Sequence, residues 1–143
     1  MSLFDAIAAG DEDALREELD RDPDTAGERN ADGSSPVLYA LYNGRAELVD
    51  AILDANPALD VFDAAAVGRT RGLAELVDAE PALVSARSAD GSTPLHLAAR
   101  FDQRDAAELL LEHGADVDAR DAEGRTPAEV AAGDTRELLT GGG

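Results

Sequence analysis

The chain carries two histidines, His96 and His113, and no cysteine, so the side chains that most often run nucleophilic or metal chemistry are scarce. His96 stands in Thr93-Pro94-Leu95-His96, and His113 stands just before Gly114. A helix–turn–helix separates them. With no thiolate and no third imidazole they do not make up the ligand set of a zinc site. A structural role is expected for both; His113 in particular sits at a helix C-terminus, where a cation is favoured against the helix dipole. Two acidic stretches, Asp20-Arg21-Asp22-Pro23-Asp24 and Asp116-Val117-Asp118-Ala119-Arg120-Asp121, have the look of calcium loops. Such a loop needs Gly at its sixth position and Glu at its twelfth. Counted from Asp20, those positions hold Thr25 and Ala31; counted from Asp116, the fifth and sixth hold Arg120 and Asp121. Both stretches therefore read as solvated acidic loops. No Gly-x-Ser-x-Gly elbow, P-loop, Gly-x-Gly-x-x-Gly or His-Glu-x-x-His occurs. Adjacent carboxylates such as Glu17-Glu18 are expected on exposed helix faces, because without a pocket they are no acid/base pair. The residues thus predict no catalytic site, no metal site and no cofactor, and a chain that is not an enzyme.

Charge is the stronger signal. Asp and Glu number 31 against 12 basic residues, every one of them Arg, for a formal net charge of −19. That balance argues against duplex DNA, RNA or an anionic membrane as partner. An acidic, Lys-free surface resembles those of proteins from extreme halophiles, in which salt screens the self-repulsion. Hydrophobic residues make up 44% of the 143, and aromatics only 3%. A core of small and aliphatic side chains suits closely stacked helices, in one domain over about residues 1–140. The start, Met1-Ser2-Leu3-Phe4-Asp5, lacks a basic leader, and no apolar run is long enough to span a bilayer. A cytoplasmic monomer is the expectation.

The elements that would carry any site repeat. Gly10, Gly44, Gly68 and Asp102 precede similar helices at spacings of 34, 24 and 34 residues, and Thr93-Pro94 recurs 33 residues later as Thr126-Pro127. A second self-match runs at an offset of 58: Leu3-Phe4-Asp5-Ala6 returns as Val61-Phe62-Asp63-Ala64, and Arg29–Pro36 returns as Arg87–Pro94. Five repeats follow, at about residues 3–23, 35–57, 60–81, 93–114 and 126–140. Helix pairs are predicted at Leu3–Ala9 with Asp13–Asp22, a first helix from Ser35-Pro36 with Ala46–Ala55, and residues 60–67 with 71–80. The fifth repeat is shortened, with a brief first helix and then Thr135–Leu139. About ten residues are missing between the second and third repeats, so no hairpin is expected there. The tail Gly141-Gly142-Gly143 is expected to be disordered.

The clearest repeat is Asp90-Gly91-Ser92-Thr93-Pro94-Leu95-His96-Leu97-Ala98-Ala99-Arg100. Asp90-Gly91 supplies a turn, Thr93 a helix cap, and Pro94 a first helical residue whose missing N–H costs nothing. Thr-Pro-Leu-His-Leu-Ala and Leu109–Val117 resemble the ankyrin repeat, of the small bacterial or archaeal type. The resemblance implies an all-α repeat solenoid of stacked helix–turn–helix units with short β-hairpin fingers, a His96 that bonds within and between turns, and a non-enzymatic role in protein–protein interaction through a concave face. Carried over residue by residue, the implied contact positions are Ala31, Asp32 and Ser34; Ala89, Asp90 and Ser92; Ala122, Glu123 and Arg125; and, near the ends of first helices, Tyr42, Asn43, Arg100 and Phe101. Tyr42 and Phe101 fit a helix–helix seam equally well. The alternative reading is an acidic mimic of nucleic acid that inhibits a basic protein.

Overall fold

The computed structural model describes residues 2–31 and 33–140, so the expected disorder of Gly141–Gly143 falls outside the described residues. Two compact units divide the chain, Met1–Leu59 and Asp60–Gly143.

In the first unit, α1 (Leu3–Ala9) opens with a capping box. The Ser2 hydroxyl accepts from the Asp5 N–H, and the Asp5 carboxylate accepts from the Ser2 N–H, satisfying two donors that a helix start leaves orphaned. Helix α2 (Glu12–Arg21) is capped by Asp11 and buries Leu15 and Leu19, four residues apart on one face. A 3₁₀ turn, Pro23–Gly27, follows. Helix α3 (Pro36–Tyr42) starts from the Ser35 hydroxyl, with Pro36 in its first turn. The expected helix over Ala46–Ala55 is shorter. It begins as a 3₁₀ turn, Ala46–Leu48, with no side-chain cap from Arg45, and becomes α4 only over Val49–Asp54.

The second unit repeats the plan. Helix α5 (Val61–Val67) has a capping box of Asp60 and Asp63; α6 (Thr70–Ala79) buries Leu73 and Val77 and leads into a 3₁₀ turn, Pro81–Ser85. Helix α7 (Pro94–Arg100) lies at the centre, packed against α5, α8 (Arg104–Glu112) and α9 (Pro127–Val130), and every residue from Pro94 to Ala99 is buried. Ala64, Ala65, Ala98, Ala106 and Ala107 line the core between Leu73, Val77, Leu95 and Leu110. Those small side chains let three helices approach one another closely. The shortened last repeat ends in α10 (Gly133–Thr140). Its first turn borrows an acceptor from the preceding repeat: Asp102, at φ +54, takes hydrogen bonds from the Thr135 N–H (3.0 Å) and hydroxyl (2.9 Å).

The fold is thus all-α repeats, with one correction. No strand forms among the described residues, so the expected β-hairpin fingers are absent as ladders. The 3₁₀ turns at Pro23–Gly27 and Pro81–Ser85 consume the residues that would have formed one arm, and only a tight turn remains beyond each.

Candidate functional site

Those tight turns share one construction. The first residue of each turn donates its N–H to the carbonyl of the last: Asn30 to Ser34 at 3.0 Å, Ser88 to Ser92 at 2.9 Å and Asp121 to Arg125 at 2.9 Å. An arginine just before each turn then reaches over it. Arg29, Arg87 and Arg120 donate from Nη1 to the carbonyls of Gly33, Gly91 and Gly124, at 3.3, 2.9 and 2.7 Å. The carboxamide of Asn30 and the carboxylate of Asp121 accept from the N–H at the far side of their turns, Ser34 and Arg125 respectively. In the second unit the two turns are joined edge to edge. The Ala122 N–H donates to the Asp90 carbonyl at 3.0 Å, and the Arg87 guanidinium also donates to the Arg120 carbonyl. A Cβ on Gly91 would lie 2.6 Å from the Ala122 nitrogen, so this junction needs glycine for close approach as well as for φ +79.

His96 ties the same junction to α7. Its Nδ1 faces the Thr93 N–H (3.1 Å) and hydroxyl (2.8 Å), and its Nε2 lies 2.7 Å from the Arg125 carbonyl. A backbone N–H can only donate, so Nδ1 is the acceptor and Nε2 carries the proton that reaches Arg125. His113 holds the other side of the second unit, with Nδ1 2.9 Å from the Leu109 carbonyl and Nε2 3.0 Å from Asp78 Oδ1. Both ring nitrogens face acceptors, so only the imidazolium satisfies both. The Leu109 carbonyl first, and the Asp78 carboxylate next, raise the pKa of His113.

Two aspartates anchor the turns. The Asp121 side chain is 1% exposed. Burial pushes its carboxyl up, but the N–H groups of Arg125 and Glu123 and the Arg125 guanidinium at 3.0 Å together outweigh this and hold it below the ordinary aspartate range. At Asp90 burial again acts upward, and the hydrogen bonds from Ser88 and Ser92 with the charge of Arg100 bring the net shift downward.

Of the sequence-derived contact positions, the second unit brings four together: Ala89, Asp90, Ala122 and Glu123 are exposed along the joined turns. Ser92 is a correction. It is 0% exposed, because it is the closing residue of its turn, with its N–H on the Asp90 carboxylate and its carbonyl on the Ser88 N–H. Arg125 is half-buried and committed to its own turn, paired with Asp121 and 3.4 Å from Glu123. Arg100 and Phe101, at the end of α7, are half-buried. In the first unit Ala31 is exposed and Ser34 half-buried, while Asp32 lies outside the described residues. Tyr42 is 41% exposed, and Asn43 beside it turns its side-chain amide back to the Tyr39 carbonyl at 2.7 Å. The sequence reading missed the clasping arginines Arg29, Arg87 and Arg120. The signal was available, since each precedes an Ala-Asp-Gly or Ala-Glu-Gly turn by two residues.

Among the described residues no group of three or more His, Cys, Asp or Glu side chains is placed to hold a metal ion, and no helix is long and apolar enough to cross a membrane.

Helix pairs on the ankyrin period, with Thr-Pro helix starts and a histidine tying one turn to the next, define a repeat protein of known kind. The family model for ankyrin repeats (three copies) matches residues 3–121 and again 61–140, and the chain belongs to the ankyrin repeat family. Ankyrin repeats generally mediate protein–protein interaction. No curated protein matches the chain.

Proposed function

We propose that this chain is a non-enzymatic protein-binding module whose partner contacts fall on the turn tips and on the ends of the first helices. The joined turns of the second unit carry this reading. Hydrogen bonds from Ala122 to Asp90 and from Arg87 to Arg120 fix the backbone from which Ala89, Asp90, Ala122 and Glu123 project. A surface ordered before binding loses little entropy on association. Tyr42 and Ala31 offer the corresponding positions of the first unit, and a large exposed aromatic is a favoured anchor. The test is affinity capture in high salt with the wild-type chain and a Tyr42→Ala/Ala89→Arg/Ala122→Arg variant. The variant melts as the wild type does and captures the partner at least about tenfold less, as expected when anchors are lost. Equal capture rules the reading out.

The second reading, an acidic mimic of nucleic acid, draws on the net charge of −19. Its carboxylates follow the second helices of the repeats: Glu12, Asp13, Glu17 and Asp20 on α2, Asp50 and Asp54 on α4, Glu75 and Asp78 on α6, Asp105 and Glu112 on α8. Helices α3 and α7 carry none. The turns carry further exposed acids at Asp22, Asp24, Glu28, Asp90, Asp116, Asp118 and Glu123, and acids spread over both helices and turns support salt adaptation over a single mimicking patch.

A further inference from the structure

The 58-residue offset lets one half of the chain be read against the other. In the second unit, the end of α8 is fastened to α6 by His113 on Asp78, and Leu109, one turn earlier, is half-buried against the core formed by Leu73, Val77 and Leu110. The corresponding residues of the first unit are Asp20 for Asp78, Ala51 for Leu109 and Ala55 for His113. Backbone geometry supports the register: the next residue of each pair, Asn56 and Gly114, has positive φ, +55 and +91. Where the second unit places an isobutyl group and an imidazole, the first has two methyl groups. Between α2 and α4 there is accordingly an open groove of ≈ 380 Å³, floored by Leu19 and Ala51 and edged by Asp20, Pro23, Asp54 and Ala55. Asp20 is exposed, and its carboxylate accepts no hydrogen bond among the described residues. Arg16, at the rim, is already engaged, 3.1 Å from Glu12 and 4.0 Å from Asp54.

We propose that this groove docks a helix of a partner protein that presents a leucine-sized apolar side chain and, four residues on, a cation. The apolar group replaces Leu109 over Leu19, Ala51 and Pro23. The cation replaces His113 on Asp20, with Asp54 nearby, so that two carboxylates face one arginine. Charge complementarity and the internally satisfied copy both specify this occupant: the second unit fills the equivalent place with a leucine and a histidine four residues apart. The groove shares no residue with the turn tips, and the proposal does not rest on them.

The probe is an alanine-based helical peptide with a single Leu and a Lys four residues later, titrated into the ¹⁵N-labelled full chain. Saturable shifts of the Asp20, Ala51 and Ala55 amides are expected, weakened about threefold to fivefold when the peptide Lys is replaced by Gln. The Ala51→Leu/Ala55→His double variant transplants the second unit's side chains. It is expected to melt at or above the wild-type temperature and to bind the peptide at least about tenfold more weakly, having filled its own groove. Undiminished binding by that variant overturns the proposal, as does the absence of saturable shifts at those three amides up to about millimolar peptide. Should the double variant fold poorly, Asp20→Asn serves instead, with binding about threefold weaker expected and unchanged binding counting against the site. Concentration-dependent shifts of the same amides without peptide would assign the groove to a second copy of the chain and overturn the partner helix.

Discussion

Gln103 lays its carboxamide across Gly68 and donates from Nε2 to the carbonyl of Ala66 at 3.1 Å. The same joint occurs 58 residues earlier, where Arg45 lies over Gly10 and its Nη2 is 3.3 Å from the Ala8 carbonyl. A residue just before the second helix of one pair thus satisfies a carbonyl at the end of the first helix of the preceding pair. A Cβ at Gly68, where φ is +75, would collide with Gln103 Oε1. Gly68→Ala is expected to cost about 1–2 kcal/mol for left-handed backbone, and Gln103→Ala about 1 kcal/mol for the carbonyl left behind. Because the first change already displaces the amide, the double variant should lose less than the sum. Denaturant unfolding of the four proteins checks this, and strict additivity would show that the two residues are uncoupled.

His96 spans two repeats, from the Thr93 cap to the Arg125 carbonyl. Its side chain is fully buried. His96→Ala leaves a cavity and unsatisfied polar groups, and should destabilise the protein by about 2–4 kcal/mol. Hydrogen exchange should show α9 and α10 opening first. In the wild type, ¹⁵N spectra of the ring should report the tautomer protonated on Nε2; the Nδ1 tautomer would refute the bonding scheme.

His113 makes stability depend on pH. Its pKa is raised in the folded chain, so the Asp78 and Leu109 contacts contribute fully below the ordinary histidine value of 6.5 and are lost as pH rises through the folded value. The contribution is small, since the ring is 29% exposed and solvent screens it. Denaturation midpoints of the wild type should fall between about pH 6 and pH 8, and His113→Asn should flatten that slope. A slope unchanged in the variant would assign it elsewhere.

Salt should stabilise the chain. With 31 carboxylates against 12 arginines, self-repulsion weakens the compact state in dilute buffer and counter-ions relieve it. Melting temperature should climb steadily with potassium chloride beyond the range in which surface ion pairs alone are screened. Full stability in salt-free buffer would count against salt adaptation.

Much of this was legible in the residues. Thr93-Pro94 and Thr126-Pro127 mark helix starts because capping is local chemistry, and both caps form. The helix boundaries at Leu3–Ala9 and Val61–Val67 follow from capping boxes, Ser2 with Asp5 and Asp60 with Asp63, and from glycines that accept left-handed backbone. What the sequence hid depends on partners distant along the chain. Ser92 reads as a polar tip residue, yet it is the closing residue of a turn packed under its neighbours. The 3₁₀ start before α4 has no signal at its cap, since Arg45 there makes no side-chain cap and neither does Arg69 before the fully α-helical α6. Arms of β-structure were expected from the family pattern, and here 3₁₀ turns take their residues.

The arginine clasps change how the absence of lysine is read. Arg87 reaches two carbonyls at once from Nη1, Gly91 within its own turn and Arg120 in the next; both N–H bonds of that nitrogen are fixed in the guanidinium plane, whereas an ammonium on a flexible stem fixes neither direction. Arg87→Lys would leave the net charge untouched and loosen a joint between repeats. At such positions the choice of cation is a matter of masonry, and composition alone would have credited it to salt.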